Sequence, residues 1–267
     1  MSSTFTFLYA QTMLPLSKTI FKAYDIRGII DKTLDASVAR KIGQAFGQAA
    51  LAKGEQRVVI GRDGRLSGPE LAAALAQGLQ AAGVDVIDLG VVATPMVYFG
   101  TNVLDTKSGI MVTGSHNPPD YNGFKMVLAG EAIHGEAILS LYQSIVDHDG
   151  SASNTPGSYA THDIRAAYID RILGDVKLAR PIKIAVACGT GVAGAFAGDL
   201  FRGMGCEVIE LFCEVDGNFP NHHPDPAHPE NLQDLIRCRA ESDAEIGIAF
   251  DGDGDHLGVV TKYGQII

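Results

Sequence analysis

The sequence predicts an α/β protein of two similar domains, each a mixed, mostly parallel sheet flanked by helices. Three observations lead there: a strand-helix-strand order occurs twice, the two copies echo each other residue by residue, and a polar stretch between them reads as a linker. The echo is specific. "GVDVIDL" from Gly83 and "GCEVIEL" from Gly205 share glycine, acid, Val, Ile, acid and Leu in order. At 267 residues the length alone allows one large or two medium domains, so the repeat decides between them.

The elements follow from local pattern. "RVVI" (57–60) is a β-branched run and predicts a strand, "GPELAAALAQGLQAAG" (68–83) has helical spacing and strong helix formers, and "VDVIDL" (84–89) predicts a second strand. The order returns as "IKIAVA" (182–187), "VAGAFAGDLFRGMG" (192–205) and "CEVIEL" (206–211). Each copy then adds an apolar run that ends in polar punctuation, "GIMVTGSHN" from Gly109 and "GIAFDGDGD" from Gly247. Ligands of open α/β sheets collect beyond the carboxyl ends of parallel strands, so these two loops are expected to face a shared cleft. "HDGSASNTPGSYATHD" (148–163), rich in Ser, Gly, Asn and Pro, is the expected linker. The chain therefore divides into an N-terminal tail (1–16), a first domain (17–155) and a second domain (156–264).

Composition excludes several classes. Apolar residues make up 46% and charged residues 19%, a globular balance with no tract biased enough to read as disordered. A formal net charge of −10 argues against nucleic acid as a partner, and an anionic substrate has to be held by a few local cations. No apolar run approaches the roughly 20 residues of a membrane span. The N-terminal "MSSTFTFLYAQTMLPLSK" has no basic residue before Lys18 and no clear cleavage pattern, so it is a poor secretory signal and reads as a loose tail, with Met13 an alternative start. Cys188, Cys206, Cys213 and Cys238 are spaced for neither a zinc ribbon nor a disulfide framework, and a reducing cytoplasm is expected.

In "VTGSHNPPDYNG" (112–123), Pro118 and Pro119 exclude a regular strand or helix and Asn122-Gly123 favours a turn. The segment is expected to be a fixed loop whose Ser115 side chain stands clear. A free serine is a feeble nucleophile, but His116 can exchange a proton near neutral pH and Lys125 can steady an oxyanion or a phosphate. A turn that merely contains Ser-His is the plain alternative, and no G-x-S-x-G elbow surrounds Ser115. In "DGDGD" (251–255), Asp251, Asp253 and Asp255 alternate with glycines that let the backbone curl around one hard cation, Mg²⁺ or Ca²⁺ rather than zinc. An EF-hand would need Gly at its sixth position and Glu at its twelfth, where His256 and Lys262 stand. An acidic solvated turn remains the plain reading. Together the two loops pose a phosphoryl-transfer chemistry: a hydroxyl to carry phosphate, a divalent ion to spread its charge, and cations to hold the transferring group.

"AYDIRG" (23–28), "TGSHNPPDYNGFK" (113–125) and "FDGDGD" (250–255), with "GNFPNHHPDP" between the last two, resemble in order the motifs of the α-D-phosphohexomutases, especially the phosphomannomutase/phosphoglucomutase branch. The resemblance runs from about Phe21 to the end of the chain. It implies that Ser115 carries a phosphoryl group in the resting enzyme, and that Asp251, Asp253 and Asp255 bind Mg²⁺ together with an oxygen of that phosphate. It assigns His116 and Lys125 to proton transfer or charge stabilisation and Arg27 to contact with the phosphoserine. It implies movement of phosphate between O1 and O6 of a hexose through a hexose 1,6-bisphosphate, with a small phosphosugar as the substrate.

Two departures from the family pattern stand out. The family usually reads "DGDGDR", whereas this chain has His256, whose charge depends on pH. The family also has two further domains, the third and fourth, with no counterpart before "GQII", so the polypeptide alone is expected to turn over poorly. The enzyme alternative is an NAD-linked oxidoreductase: "CGTGVAG" (188–194) contains G-x-G-x-x-G through Gly189, Gly191 and Gly194, with Glu210 at the end of the next strand. A non-catalytic phosphosugar- or metal-binding module is the third reading. His222, His223 and His228 in a proline-broken stretch are expected to form a rigid surface loop rather than a zinc site. Arg62, Asp63 and Arg65 either line the cleft or form a turn salt bridge. His134, His148 and His162 carry no pattern.

Overall fold

A computed structural model describes residues 14–147 and 153–267. Almost all of the expected tail, Met13, and the first part of the expected linker with His148 therefore lie outside the described residues. The first half comprises β1 (Ile26–Ile29), α1 (Ala36–Ala52), β2 (Arg57–Arg62), α2 (Gly68–Ala82), β3 (Asp85–Val91), α3 (Thr94–Val103), β4 (Gly109–Val112), β5 (Tyr121–Leu128), β6 (Glu131–Ala132) and α4 (Glu136–Asp147). The second adds β7 (Tyr159–Thr161), α5 (Arg165–Asp175), β8 (Lys183–Ala187), α6 (Ala197–Gly203), β9 (Glu207–Leu211), α7 (Gln233–Glu241), β10 (Ile246–Phe250) and β11 (Leu257–Val260).

Each expected strand forms. Val58, Val59 and Ile60 are buried on both faces of β2, as a central strand covered by helices requires. Helix α1 starts where the Asp35 carboxylate accepts the Val38 N–H at 2.8 Å, and α2 ends where Gly83 takes a left-handed φ of 97°. Their apolar faces, with Ile42, Phe46, Leu75 and Leu79, pack on Ile60, Ile110 and Phe124 to form the core of the first half.

The first sheet has the order β1-β5-β4-β2-β3-β7, with β6 added on β5; the second has the order β11-β10-β8-β9. In the first, β4, β2, β3 and β7 run parallel and β5 turns back antiparallel beside β4. In the second, β10, β8 and β9 run parallel and β11 turns back beside β10. Thus β4 and β10 are equivalent strands, each followed by a loop and an antiparallel return. The register sets Arg27 opposite Gly123 and Lys125 opposite Met111, which brings both cations beside the loop that leaves β4.

Two features depart from the local pattern. The expected helix over 192–205 is split into a 3-10 turn, Val192–Ala195, and the seven-residue α6, because the backbone of Gly194 packs against Cys213: a Cβ there would lie 2.0 Å from the Cys213 carbonyl oxygen. Strand β7 lies after residue 155 yet pairs parallel with β3, so the chain closes the first sheet before it enters α5. The two halves share a core as well: Val59, Met96, Val97 and Met111 belong to the same buried cluster as Ile184, Val186, Val192 and Phe196. Among the described residues no helix is long and apolar enough to cross a membrane.

Candidate active site

The loops after β4 and β10 meet. Ser115 Oγ lies 3.0 Å from Asp251 Oδ2, 3.0 Å from Asp253 Oδ1 and 3.4 Å from Lys125 Nζ. Its side chain does not stand clear as the turn-rich sequence suggested; Ser115 is 2% exposed, because the second half covers it. The backbone there is left-handed, with a Ser115 φ of 49°, a conformation uncommon for a residue with a side chain and held only by its surroundings.

Those surroundings begin in "GRDGR". The Asp63 carboxylate accepts from Thr113 Oγ1 at 2.8 Å and from the Gly114 N–H at 3.2 Å, and Thr113 Oγ1 in turn accepts the Ser115 N–H at 2.7 Å. Arg65 is wholly buried and donates from Nε to Asp63 at 3.2 Å. Its remaining N–H groups donate to the carbonyls of Ser115 at 2.8 Å, Asn117 at 2.6 Å, Pro118 at 2.5 Å and Tyr121 at 3.0 Å. The Asp63–Arg65 pair is thus both the turn salt bridge and the clamp of the serine loop. The guanidinium occupies the space beside Gly114, where a Cβ would come within 2.2 Å of it. Arg27 closes the other side, donating to Gly114 O and Asn117 Oδ1 and pairing with Asp25.

The acidic loop is a hairpin connection between Phe250 and Leu257. Asp251 folds it by accepting the N–H groups of Asp255 and His256, both at 3.1 Å. Thr94, at the start of α3 in the first half, donates Oγ1 to Asp253 Oδ2 at 2.6 Å, and its N–H donates to the Asp253 carbonyl at 3.0 Å. Lys125 pairs with Asp253 at 2.8 Å and with Asp255. His256 Nδ1 lies 3.2 Å from Asp251 Oδ2 and 2.8 Å from Asp255 Oδ1, in the position where the family pattern has arginine.

Burial sets the electrostatics. It pushes Asp251 up, and repulsion from Asp253 adds to it, so the carboxyl titrates at about 7. Burial acts the same way on Asp253, but Lys125 outweighs it and holds that carboxyl below the usual range. For Lys125, desolvation is outweighed by Asp253 and Asp255, and its pKa rises. His116 is lowered by burial and faces the His256 ring at a centroid separation of 5.3 Å; His256 is raised because Asp251 and Asp255 outweigh its own desolvation.

Asp251, Asp253 and Asp255 each offer an oxygen, and the three lie within 4.8 Å of one another, a donor set suited to a hard divalent cation. Two of the three are fully buried, with Lys125 and His256 as the cationic groups against the triplet, and a bound cation would offset the repulsion among the carboxylates. An open cleft of about 470 Å³ leads from this point past Lys22, Tyr24, Arg27, His116 and Lys125.

Other expectations separate here. His223 Nε2 is hydrogen-bonded to the His116 carbonyl, so the histidine stretch braces the serine loop, and His222, His223 and His228 form no metal-ligating group among the described residues. The glycine loop that matched a dinucleotide fingerprint does not open a long helix. A Cβ on Gly191 would meet the Asp251 carbonyl oxygen at 2.9 Å, and Glu210 pairs with Arg202 at 2.8 Å. The loop is packing for the acidic hairpin, with no helix N-terminus of useful length to receive a pyrophosphate. Thr94 and the role of His223 had no sequence signal, since both act across more than 100 residues of chain.

Two α/β/α units that bring a buried serine onto a carboxylate triplet define the class: this is the arrangement of the α-D-phosphohexomutases. Residues 18–149 match the model of phosphoglucomutase/phosphomannomutase alpha/beta/alpha domain I, and residues 166–264 match that of domain II. The chain belongs to the phosphoglucomutase/phosphomannomutase family. It is 58% identical over 256 residues to a phosphoglucomutase of Neisseria gonorrhoeae, covering 96% of this chain and 55% of that protein. It is 54% identical over 252 residues to a phosphomannomutase/phosphoglucomutase of Pseudomonas aeruginosa, covering 94% of this chain and 54% of that protein. A solved phosphoglucomutase/phosphomannomutase family protein from Burkholderia thailandensis superposes with a TM-score of 0.92 at 60% identity, over 95% of this chain and 57% of that one. The chain spans about half the length of the curated relatives it matches.

Proposed function

We propose that this chain supplies the phosphoryl-carrying half of a phosphohexomutase that moves phosphate between O1 and O6 of glucose or mannose phosphates. The observation that carries the reading is the convergence of Ser115 Oγ with Asp251, Asp253 and Lys125 Nζ at 3.0, 3.0 and 3.4 Å. A serine oxygen flanked by two carboxylates and a lysine stands where a phosphoryl group on it would share a cation with those acids.

In this reading Asp251, Asp253, Asp255 and an oxygen on Ser115 would hold Mg²⁺, which would supply charge to offset the phosphoryl oxygens. Lys125, 3.4 Å from Ser115 Oγ and paired with Asp253 and Asp255, adds positive charge beside the same group, and Arg27 fixes the loop that presents it. The free hydroxyl of the sugar phosphate forms a bond to phosphorus while the bond from phosphorus to Ser115 Oγ breaks. His116, held toward its neutral form by burial, accepts the hydroxyl proton, and Lys125 stabilises the departing Oγ. The product of that half-reaction is a hexose 1,6-bisphosphate. Its turned-over form returns the other phosphate to Ser115, so the net result is isomerisation.

The test is transfer of label. Hexose 1,6-bisphosphate labelled on phosphate, incubated with the chain and Mg²⁺ and followed by peptide mapping, is expected to place the label on Ser115 and nowhere in the Ser115→Ala variant. Absence of transfer when the remaining domains of a relative are supplied in trans or by fusion contradicts the reading.

A further inference from the structure

Outside the candidate active site, two of the described cysteines stand together. Cys188 follows β8 directly and Cys213 lies two residues after β9, and the parallel register of these strands brings their ends level, with the Cys188 N–H donating to Leu211 O at 3.1 Å. Their Sγ atoms are 3.4 Å apart. The two differ in access: Cys188 is wholly buried, whereas Cys213 is partly exposed. Cys206 stands before β9 at its opposite end, and Cys238 is on α7, so the other two cysteines belong to different places.

The peptide around the pair connects it to the acidic hairpin. Between Cys188 and Val192 the backbone turns through left-handed Gly189 and Thr190, at φ 52° and 58°, and Phe212 next to Cys213 is left-handed at φ 52°. The Thr190 N–H donates to Phe212 O at 2.8 Å, and the Val192 N–H donates to Gly252 O, between Asp251 and Asp253, at 3.1 Å. The sulfur pair therefore sits at the root of the loop that backs the carboxylates.

We infer that Cys188 and Cys213 form a hydroperoxide-responsive dithiol site whose disulfide shifts the backing of the acidic hairpin. The exposed sulfur reacts first: the Cys213 thiolate attacks the O–O bond of a hydroperoxide, an S–O bond forms, and the alcohol or water leaves. The Cys188 sulfur then attacks Cys213, the S–S bond forms, and the S–O oxygen departs as water with the Cys188 proton. Two thiols and one hydroperoxide give one disulfide, one alcohol or water, and one further water. Access supports this order, since Cys213 is partly exposed and Cys188 is wholly buried. A covalent S–S bond is ~2.05 Å long, so the sulfurs move together by roughly 1.3 Å from their 3.4 Å separation. Cys188 is anchored in the core, and the movement falls on the turns at 189–191 and 212–214.

The test needs neither metal nor substrate. The whole chain is treated with hydrogen peroxide, its intact mass measured, its unreduced peptides mapped, and its amide hydrogen exchange compared before and after. The expected result is a loss of about 2 Da, a peptide pair linked through Cys188 and Cys213, and faster exchange in 188–194 and 250–256, all reversed by dithiothreitol. Cys213→Ser abolishes the mass loss, and Cys188→Ser leaves a sulfenic acid at Cys213 that dimedone traps. A bridge through Cys206 or Cys238, or no bridge at all, overturns the site. A Cys188–Cys213 bridge with unchanged exchange at 250–256 overturns its connection to the acidic hairpin.

Discussion

Arg65 shows how much of the serine loop rests on one side chain. Its guanidinium answers four carbonyls and a carboxylate while wholly buried, so truncation leaves an unpaired Asp63 charge and orphaned carbonyls in a dry site. Arg65→Ala is expected to cost about 3–5 kcal/mol in urea unfolding, and Arg65→Lys to recover only part of it because an ammonium cannot span the same fork. A loss below about 1 kcal/mol would mean that the clamp is redundant. Asp251 makes a second prediction. With a carboxyl that titrates at about 7, the metal-free protein binds a proton there at pH 6 that Mg²⁺ must displace. Affinity should therefore fall by up to about tenfold for each pH unit below 7 and level off above it. Calorimetry at pH 6 in two buffers of different ionisation enthalpy should detect proton release that vanishes near pH 8. Ser115 and the aspartate triplet were legible in the sequence because proline, asparagine and glycine force loops locally, and loops after apolar runs carry chemistry. Arg65, Thr94 and His223 were not, because their roles exist only in contacts between distant segments, and no local pattern records a carbonyl waiting for a donor.

Elements were legible where burial and local preference agree. The runs of β2, β3, β8 and β10 form as strands inside their sheets, and β9, none of whose residues is buried, forms by pairing along the edge of β8. Agreement fails where backbone approaches backbone. The stretch 192–205 has helical composition, yet its glycines serve close packing and the helix breaks. Strand β7 has no exclusive apolar pattern, all three of its residues being exposed, and only the free edge of β3 recruits it. The crossing of α1 and α2 turns this conflict into a prediction. Intrinsic propensity favours alanine over glycine within a helix by about 1 kcal/mol, and Gly78 lies inside α2. A Cβ on Gly78 would lie 2.0 Å from the Arg40 carbonyl oxygen and 2.8 Å from the Gln44 nitrogen, both backbone atoms of α1 that cannot rotate aside. Gly78→Ala is therefore expected to destabilise by roughly 1–3 kcal/mol, read as a lower midpoint in thermal unfolding; a gain would show that the helices separate at little cost.

At the scale of the molecule, the duplicated halves are joined by more than the linker. Met96 and Val97 of α3 and Met111 of β4 lie in one buried cluster with Val186 of β8 and Phe196, and the polar site is closed by Thr94 from one half on Asp253 from the other. Separating the halves would expose that apolar cluster and leave the buried carboxylates without Thr94 and Lys125, so neither half has a cheap route to opening alone. The expectation is a single cooperative transition despite the two sheets, and a bound ion held between the halves must act on both at once. Mg²⁺ at about 100 times its dissociation constant contributes roughly 2.7 kcal/mol, and for a chain of this length each kcal/mol raises the midpoint by about 2–4 °C. Differential scanning calorimetry with and without Mg²⁺ should thus show one peak displaced upward by roughly 5–10 °C. The Asp251→Asn/Asp253→Asn double variant should show one peak that Mg²⁺ leaves in place. Two peaks of which Mg²⁺ moves only one would mean that the shared core does not couple the halves and that the ion is held by the acidic hairpin without the serine loop.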